Sequence, residues 1–400
     1  MNKKISLGVA ISLIAIGCAI TFVLTWTVSL KVYNSKISSV EKYDGVYEKI
    51  QQMDAVVRNN YIGIIDDDAI QNGIINGYVS GIGDKYASYM RPSAYYQLQQ
   101  TEGGVVNGAG FEAFEDGSGY LVVSTVYKNS SADNNGMMPG DIITEIDGRS
   151  LLSMESGAAL EKIAGEIGTQ LTLKYLRNGE SYTVNLIRQQ VEIESVTDEM
   201  LDGNVGYIRI TSFNQKTSGQ FSSSLNTVLS NNAIALVIDV RGNSGGVISA
   251  LKPMLNRLIP AAIVANAQYK NGVKKPLIET DSEQKLDIPI AVLVDSETAS
   301  VAELFAVALR DEGNAVLVGE KTYGKAVMLS TYEFPDGTAL TISTATIIPS
   351  KSEPYDGVGL NPDYAIELPS GLSIDYIEHK DDTQLIKALE VLVPDRAEPD

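Results

Sequence analysis

A serine nucleophile needs a base to remove its proton, and in the usual triad that base is a histidine oriented by a carboxylate. This chain of 400 residues has one histidine, His379, in a charged stretch between Tyr376 and Asp382, which disfavours a histidine-based triad. The remaining base at neutral pH is a lysine whose ammonium form is disfavoured by burial, leaving a neutral amine. Three segments carry the residue types this chemistry needs. In Val292-Leu293-Val294-Asp295-Ser296-Glu297-Thr298-Ala299-Ser300-Val301-Ala302-Glu303 an apolar strand runs into a small-residue turn and then a helix. Ser300 therefore falls near a helix N-terminus, where unpaired N–H groups and the positive dipole end favour an oxyanion; the same position equally suits a serine that merely caps the helix. Ile238-Asp239-Val240-Arg241-Gly242-Asn243-Ser244-Gly245-Gly246 is a strand ending in a Gly-rich turn, which presents N–H groups to an anion or serves as a tight turn. No Lys-Ser/Thr ending of a phosphate-binding P-loop follows it. Gly319-Glu320-Lys321-Thr322-Tyr323-Gly324-Lys325 supplies a lysine after a strand, which taken alone reads as a solvated cation.

The elements that must position these residues are legible as strands alternating with helices. Tyr207–Ile210, a helix over 218–229, the apolar strand 234–240, a helical reading of 245–258, the strand 288–294, a helix over 300–310 and a strand over 315–318 predict crossover connections and a largely parallel sheet. Between about 107 and 188 the pattern changes to short strands, among them 120–123, 142–146 and 171–175, separated by Gly and Asp turns, with one helix expected from Ser156 to Ala164. Asp147-Gly148 is a strong hairpin-turn signal in this β-rich stretch. Ahead of it two helices are expected, over 40–60 with the stripe Val46, Ile50, Met53 and Val57, and over 67–83 with Ile70, Ile74, Ile75 and Val79. Such stripes serve a core or a homodimer contact equally well.

Lys3 and Lys4 precede an uncharged, mostly apolar run from Ile5 to Leu30, followed by Lys31. That length crosses a hydrocarbon core of about 30 Å and predicts a single transmembrane anchor rather than a cleaved leader. The two lysines on the short side place the rest of the chain outside the cytoplasm. A formal net charge of −19 argues against a nucleic-acid partner, which is bound by clustered Lys and Arg. The lone cysteine, Cys18, lies inside the apolar run and excludes an intrachain disulfide; neither a metal site nor a cofactor is expected.

Taken together and in order, the three segments resemble the C-terminal processing peptidases, also called tail-specific proteases. Tyr207-Ile208-Arg209-Ile210-Thr211-Ser212-Phe213 resembles the family's first core strand, the VRGNSGG stretch its Gly-Gly loop, ETASVAE its nucleophile segment and GEKTYGK its lysine segment. The resemblance implies that Ser300 is the nucleophile and Lys325 the general base. It implies an oxyanion hole from Gly245 or Gly246 together with Val301, and acyl transfer without metal or cofactor. Gly108-Ala109-Gly110-Phe111 and Gly136-Met137-Met138-Pro139-Gly140-Asp141-Ile142-Ile143 resemble the carboxylate-binding loop and the following turn and strand of a PDZ domain. The implied partners are proteins or peptides with free C-termini, bound by strand addition.

The expected fold class is α/β, with a ClpP/crotonase-like protease core, an inserted β-rich PDZ domain and N-terminal helices after one transmembrane helix. The expected boundaries are an anchor over 1–35, a helical region over 36–100, the PDZ domain over 101–190 and the protease core with a C-terminal cap over 191–400. Two positions depart from the family pattern. Leu329 stands where many members carry a lysine-orienting glutamine, and Ala164-Gly165 where many carry Arg-Gly. The alternative to an active protease is a catalytically weak or silent homologue that binds C-terminal tails or acts as a scaffold.

Overall fold

The computed structural model describes residues 7–154, 158–283, 285–369, 371–374 and 376–394. The chain divides into two compact units, 1–75 and 76–400. The first carries helix α1 (Leu7–Asn60) and the start of α2 (Asp67–Ser80). The predicted stripe of α1 is exposed at Val46, Met53 and Val57. Lys3 and Lys4, on which the expected anchor's orientation rests, lie outside the described residues, as do several side chains of the apolar run. Among the described residues no helix is long and apolar enough to cross a membrane.

The second unit continues with β1 (Ser88–Met90), α3 (Pro92–Gly103), β2 (Val105–Gly108), β3 (Phe111–Glu115), β4 (Leu121–Val126), α4 (Ser131–Asn134), β5 (Ile142–Ile146), β6 (Arg149–Ser150) and α5 (Ala158–Ile163). Next come β7 (Gln170–Arg177), β8 (Glu180–Ile187), β9 (Gln189–Glu192), β10 (Val196–Leu201), β11 (Val205–Ile210), α6 (Thr217–Ser230), β12 (Ala235–Asp239) and α7 (Leu251–Leu255). The chain ends through β13 (Ala262–Tyr269), β14 (Lys274–Thr280), β15 (Ile290–Val294), α8 (Val301–Gly313), β16 (Val316–Gly319), β17 (Val327–Glu333), β18 (Ala339–Pro349), β19 (Tyr364–Ala365) and α9 (Thr383–Leu392). The start predicted for the 156–164 helix, Ser156, lies outside the described residues.

Strands β3-β4-β5-β7-β8 form one sheet with β6 on β5, and β3 lies at its edge. The short ladder of β2 with β9 closes the base of this module. The central sheet has the order β10-β11-β12-β15-β16-β19, parallel from β11 to β19. Of its inner strands β15 is apolar at every position because both faces are covered, while β12 ends on the buried Asp239 and β11 carries Arg209. On one face Leu236, Ile238, Val292, Val294 and Leu317 pack against α6, α7 and α8; on the other Val237, Ala291, Leu293 and Val318 meet Leu385 and Ala388 of α9. Each Val, Leu or Ile side chain among these, once fully buried, contributes about 1.5–3 kcal/mol of burial free energy.

The expectation of a ClpP/crotonase-like core is corrected. Strands β13, β14, β17 and β18 do not enter the parallel sheet but form a second, antiparallel five-stranded sheet completed by β1. The physical reason is local turn chemistry: Asn271-Gly272 and Asp336-Gly337, with both glycines at positive φ, fold adjacent strands into hairpins rather than crossovers. The predicted 245–258 helix is also shorter than expected. Gly245 and Gly246 sit at φ 105° and 136°, Gly246 bridges Phe213, and regular α-helix starts only at Leu251.

Candidate active site

Three adjacent parallel strands, β12, β15 and β16, deliver the three predicted segments to the same C-terminal edge of the sheet, the place where open α/β sheets hold their sites. Backbone bonds knit the segments together. Gly242 N–H donates to both carboxylate oxygens of Asp295, at 3.0 and 2.9 Å, and Ala299 N–H to Asn243 O at 3.0 Å. Tyr323 N–H donates to Thr298 O at 3.1 Å, linking the lysine segment to the turn before Ser300.

Ser300 is the residue before α8 and has φ 56°, ψ −115°. Such a conformation costs a non-glycine residue about 1–3 kcal/mol and persists where the surroundings enforce it. The enforcing group is Glu303, fully buried on the first turn of α8. Its Oε2 accepts the N–H groups of Ser300 at 2.9 Å and Lys325 at 2.8 Å; its Oε1 accepts Gly324 N–H at 2.8 Å and the Thr322 hydroxyl at 2.5 Å. One carboxylate thus gathers the turn of Ser300 and the segment of Lys325. Sequence reasoning missed Glu303, although Ser300-x-x-Glu303 has the spacing of a capping box that would have drawn attention to it.

Gly245 and Gly246 lie against this turn. A Cβ on Gly245 would stand 3.0 Å from Ala299 O, Ser300 Cβ and Val301 N, and a Cβ on Gly246 only 1.9 Å from Phe213 O. Gly245 N–H donates to Asn243 Oδ1 at 2.8 Å. The N–H groups of Gly246 and Val301 have no hydrogen-bond partner among the described residues.

Lys325 is half-buried. Its amine is pushed below the usual lysine range by burial, opposed by the charges of Asp84 and Glu303 and assisted by Lys85, the direction a lysine base requires. Nζ lies 4.7 Å from the ring centroid of Tyr86. Ser300 Oγ and Lys325 Nζ are not hydrogen-bonded to each other; the structure brings their backbones together through Glu303 instead. Bonds of this kind commonly tighten only with substrate present.

A second cluster, also missed from sequence, braces the Gly-rich turn. Buried Arg241 donates to Asp239 at 2.6–3.1 Å, to Asp382 at 2.8 and 3.0 Å and to Gln384 at 2.8 Å, and the Tyr207 hydroxyl donates to Asp239 at 2.7 Å. Asp382 in turn caps α9 by accepting the N–H groups of Gln384 and Leu385. The signal for this network is the pair Asp239-x-Arg241, whose significance rests on partners about 140 residues away.

In the β-rich module Gly110 has φ 91°, and a Cβ there would stand 2.0 Å from Ser130 Cβ. Ser130 Oγ donates to Gly110 O at 3.0 Å, and Ala132 N–H to Ala109 O at 2.9 Å. These bonds fix Gly108-Ala109-Gly110-Phe111 with Ala109 and Phe111 in the module's core. The N–H groups of Ala109 and Gly110 have no partner among the described residues. Arg188, buried, fills the turn after α5, donating to the carbonyls of Lys162, Ile163 and Ala164. Among the described residues no group of three or more metal-ligating side chains converges.

The peptidase family S41 profile matches residues 204–366, which run from β11 to β19, and a PDZ domain profile matches 122–177. The match to S41 across the core is what stands in place of the ClpP/crotonase-like assignment. The carboxy-terminal processing protease CtpA of Bacillus subtilis (strain 168) is 28% identical over 381 residues, covering 94% of this chain and 80% of that protein. A probable CtpA-like serine protease of Staphylococcus saprophyticus is 26% identical over 400 residues, covering 98% of this chain and 80% of that one. Among solved structures, the photosystem II D1 C-terminal processing protease is similar at 24% identity and a TM-score of 0.47, covering 77% of this chain and 86% of that one.

Proposed function

Because the chain belongs to peptidase family S41 and is a PDZ-bearing serine endopeptidase of the carboxy-terminal processing type, we propose that Ser300 is its nucleophile and Lys325 its neutral general base. The observation that carries this reading is the single carboxylate of Glu303 holding the N–H groups of both residues. Lys325 takes the Ser300 proton as Oγ adds to the scissile carbonyl; the oxygen that becomes negative is held by the N–H groups of Gly246 and Val301. Collapse of the tetrahedral species breaks the C–N bond and the amine leaves with the proton from Lys325. Water then adds to the acyl carbonyl, giving its proton to the same lysine; the C–Oγ bond breaks, the acid leaves and Lys325 returns the proton to Ser300 Oγ.

The PDZ domain, in this proposal, receives a substrate's free C-terminus at Gly108, Ala109, Gly110 and Phe111, and the substrate adds a strand to the open edge at β3. The unpaired N–H groups of Ala109 and Gly110 and the edge position of β3 support this. The N-terminal apolar segment anchors the chain with its catalytic part outside the cytoplasm, supported by Lys3 and Lys4 before the run 5–30 and by the exposed Leu13, Ile16, Phe22, Leu24 and Trp26 of α1. The exposed stripe of α1 is a surface on which two copies would associate.

The test is hydrolysis of an unstructured protein by the full chain in detergent, comparing wild type with Ser300→Ala and Lys325→Ala, and a free with an amidated substrate C-terminus. Cleavage by wild type alone, slowed by amidation, supports the catalytic pair and the role of the PDZ loop. Cleavage by Lys325→Ala at the wild-type rate refutes the assignment of the base, and indifference to amidation refutes the role of the PDZ loop.

A further inference from the structure

Among the described residues Lys325 Nζ makes neither a hydrogen bond nor an ion pair, so nothing of that kind aims its lone pair at Ser300. Leu329, four residues further on in β17, offers no acceptor. What the amine faces is Tyr86, whose ring centroid lies 4.7 Å from Nζ. Tyr86 comes from the turn Asp84-Lys85-Tyr86 just ahead of β1, far away in the chain.

That turn is anchored. Asp84 Oδ1 accepts the Tyr86 N–H and the Ser343 hydroxyl, each at 3.0 Å, and Oδ2 accepts the Ser343 N–H at 2.8 Å. Ser343 is the residue of β18 registered opposite Leu329, and β1 carries the segment on into the same sheet, with Ser88 opposite Thr341. The Tyr86 hydroxyl is buried and has no partner among the described residues, so the ring is held by the Asp84 anchor and by packing. Lys85 shares the ring, its Nζ also 4.7 Å from the centroid and 5.8 Å from that of Tyr323.

We propose that Tyr86 is the positioning residue for Lys325, its ring holding the amine in the absence of an acceptor at position 329, with Asp84 fixing the ring through Ser343. The inference rests on reading Lys325 as the general base. A ring face attracts an ammonium and accepts an N–H from a neutral amine, and it also keeps water from one side of the nitrogen. The charged and titratable groups around Nζ are Asp84 and Glu303, which favour its charged form, Lys85, which disfavours it, and the phenol of Tyr86. Loss of the ring lets water reach the amine. Its pKa then rises towards the ordinary lysine value, and the acidic limb of the kcat/KM profile moves to higher pH.

The experiment measures kcat, KM and the pH profile of peptide hydrolysis for the full chain in detergent, with Tyr86→Phe, Tyr86→Leu, Leu329→Gln, the double variant Tyr86→Leu/Leu329→Gln and Lys325→Ala. A misplaced catalytic group costs roughly a hundredfold, so Tyr86→Leu is expected to lose kcat on that order with little change in KM and an acidic limb moved to higher pH. Tyr86→Phe stays near wild type, and the glutamine at 329 restores a large part of the loss in the double variant. If Tyr86→Leu fails to fold, Asp84→Ala replaces it, with the same expected loss of kcat and the same rescue; because the Asp84 charge itself favours the ammonium, kcat and rescue alone decide with that variant. Unchanged kcat, a loss confined to KM, an unmoved pH limb or the absence of rescue overturns the proposal. Those outcomes with an inactive Lys325→Ala leave the lysine base standing; an active Lys325→Ala refutes the base itself.

Discussion

The backbone N–H groups of Ser300 and Lys325 donate to the same oxygen, Oε2 of Glu303, at 2.9 and 2.8 Å. The second oxygen takes Gly324 N–H and the Thr322 hydroxyl, so this buried carboxylate is fully used by donors from two segments. Glu303→Gln turns one oxygen into a donor facing donors. The expected result is a loss of about 2–4 kcal/mol of stability, from unsatisfied buried groups, and of roughly a hundredfold in kcat/KM through misplacement. Thermal denaturation and peptide hydrolysis check the two halves separately.

Ser300 carries the strain of φ 56°, ψ −115°. Ser300→Gly is therefore expected to be as inactive as Ser300→Ala but to melt at a higher temperature than it, since glycine adopts positive φ without a Cβ penalty. Calorimetry of the two variants decides this, and equal melting temperatures would count against strain at Ser300.

Neighbouring glycines differ in what a methyl group would meet. On Gly246 it would stand 1.9 Å from the carbonyl oxygen of Phe213, which is backbone and fixed by Val247 N–H; on Gly245 its nearest neighbours are at 3.0 Å. Both φ values are positive. Gly246→Ala is expected to lose several kcal/mol and to fold poorly, whereas Gly245→Ala folds and loses activity. Yields of soluble protein and denaturant midpoints distinguish them.

Asp239 is held below the usual carboxylate range: burial pushes it up, but the Arg241 charge and the bonds from Arg241 and Tyr207 outweigh it. A carboxyl with a depressed folded-state pKa contributes stability that is present above its unfolded pKa of about 3.9 and disappears as pH falls through the folded value. Asp239→Asn leaves Arg241 paired with Asp382 but replaces a carboxylate oxygen that accepts from Arg241 and Tyr207 by an amide donor, and is expected to cost about 1–3 kcal/mol at pH 7 from donors left unsatisfied in the interior. The deficit shrinks as the wild type itself is acidified below about pH 4. Denaturant titrations at pH 7 and at progressively lower pH measure both.

The sequence carried the parallel sheet and the three site segments because each depends on local signals: apolar runs the length of a strand, followed by glycine or small-residue turns. Ile142–Ile146 coincides with its strand for that reason. The hairpins of the second sheet were signalled locally by Asn271-Gly272 and Asp336-Gly337 and were passed over, whereas β1 meets β18 across some 250 residues and no local pattern encodes that pairing. The same holds for Asp84 and Ser343. At Gly245–Leu258 local apolar spacing pointed to a helix, and the bridge of Gly246 to Phe213 overrode it. Glu303 lay in plain view, but a capping glutamate and a carboxylate that joins the turn of Ser300 to the segment of Lys325 look alike until that segment is folded against it.

The chain enters and leaves the PDZ domain at one neck, where β2 runs against β9 and Ile193 N–H donates to Gly104 O at 2.9 Å. Asp84, Tyr86 and β1 lie before that neck, Ser300 and Lys325 after it. The antiparallel sheet is thus built from both sides of the insertion, β1 before it and β13, β14, β17 and β18 after it. A cut that removes everything before the neck takes away an edge strand of that sheet together with Tyr86, the ring 4.7 Å from Lys325 Nζ, so the surroundings of Lys325 are not contained in the C-terminal half of the chain.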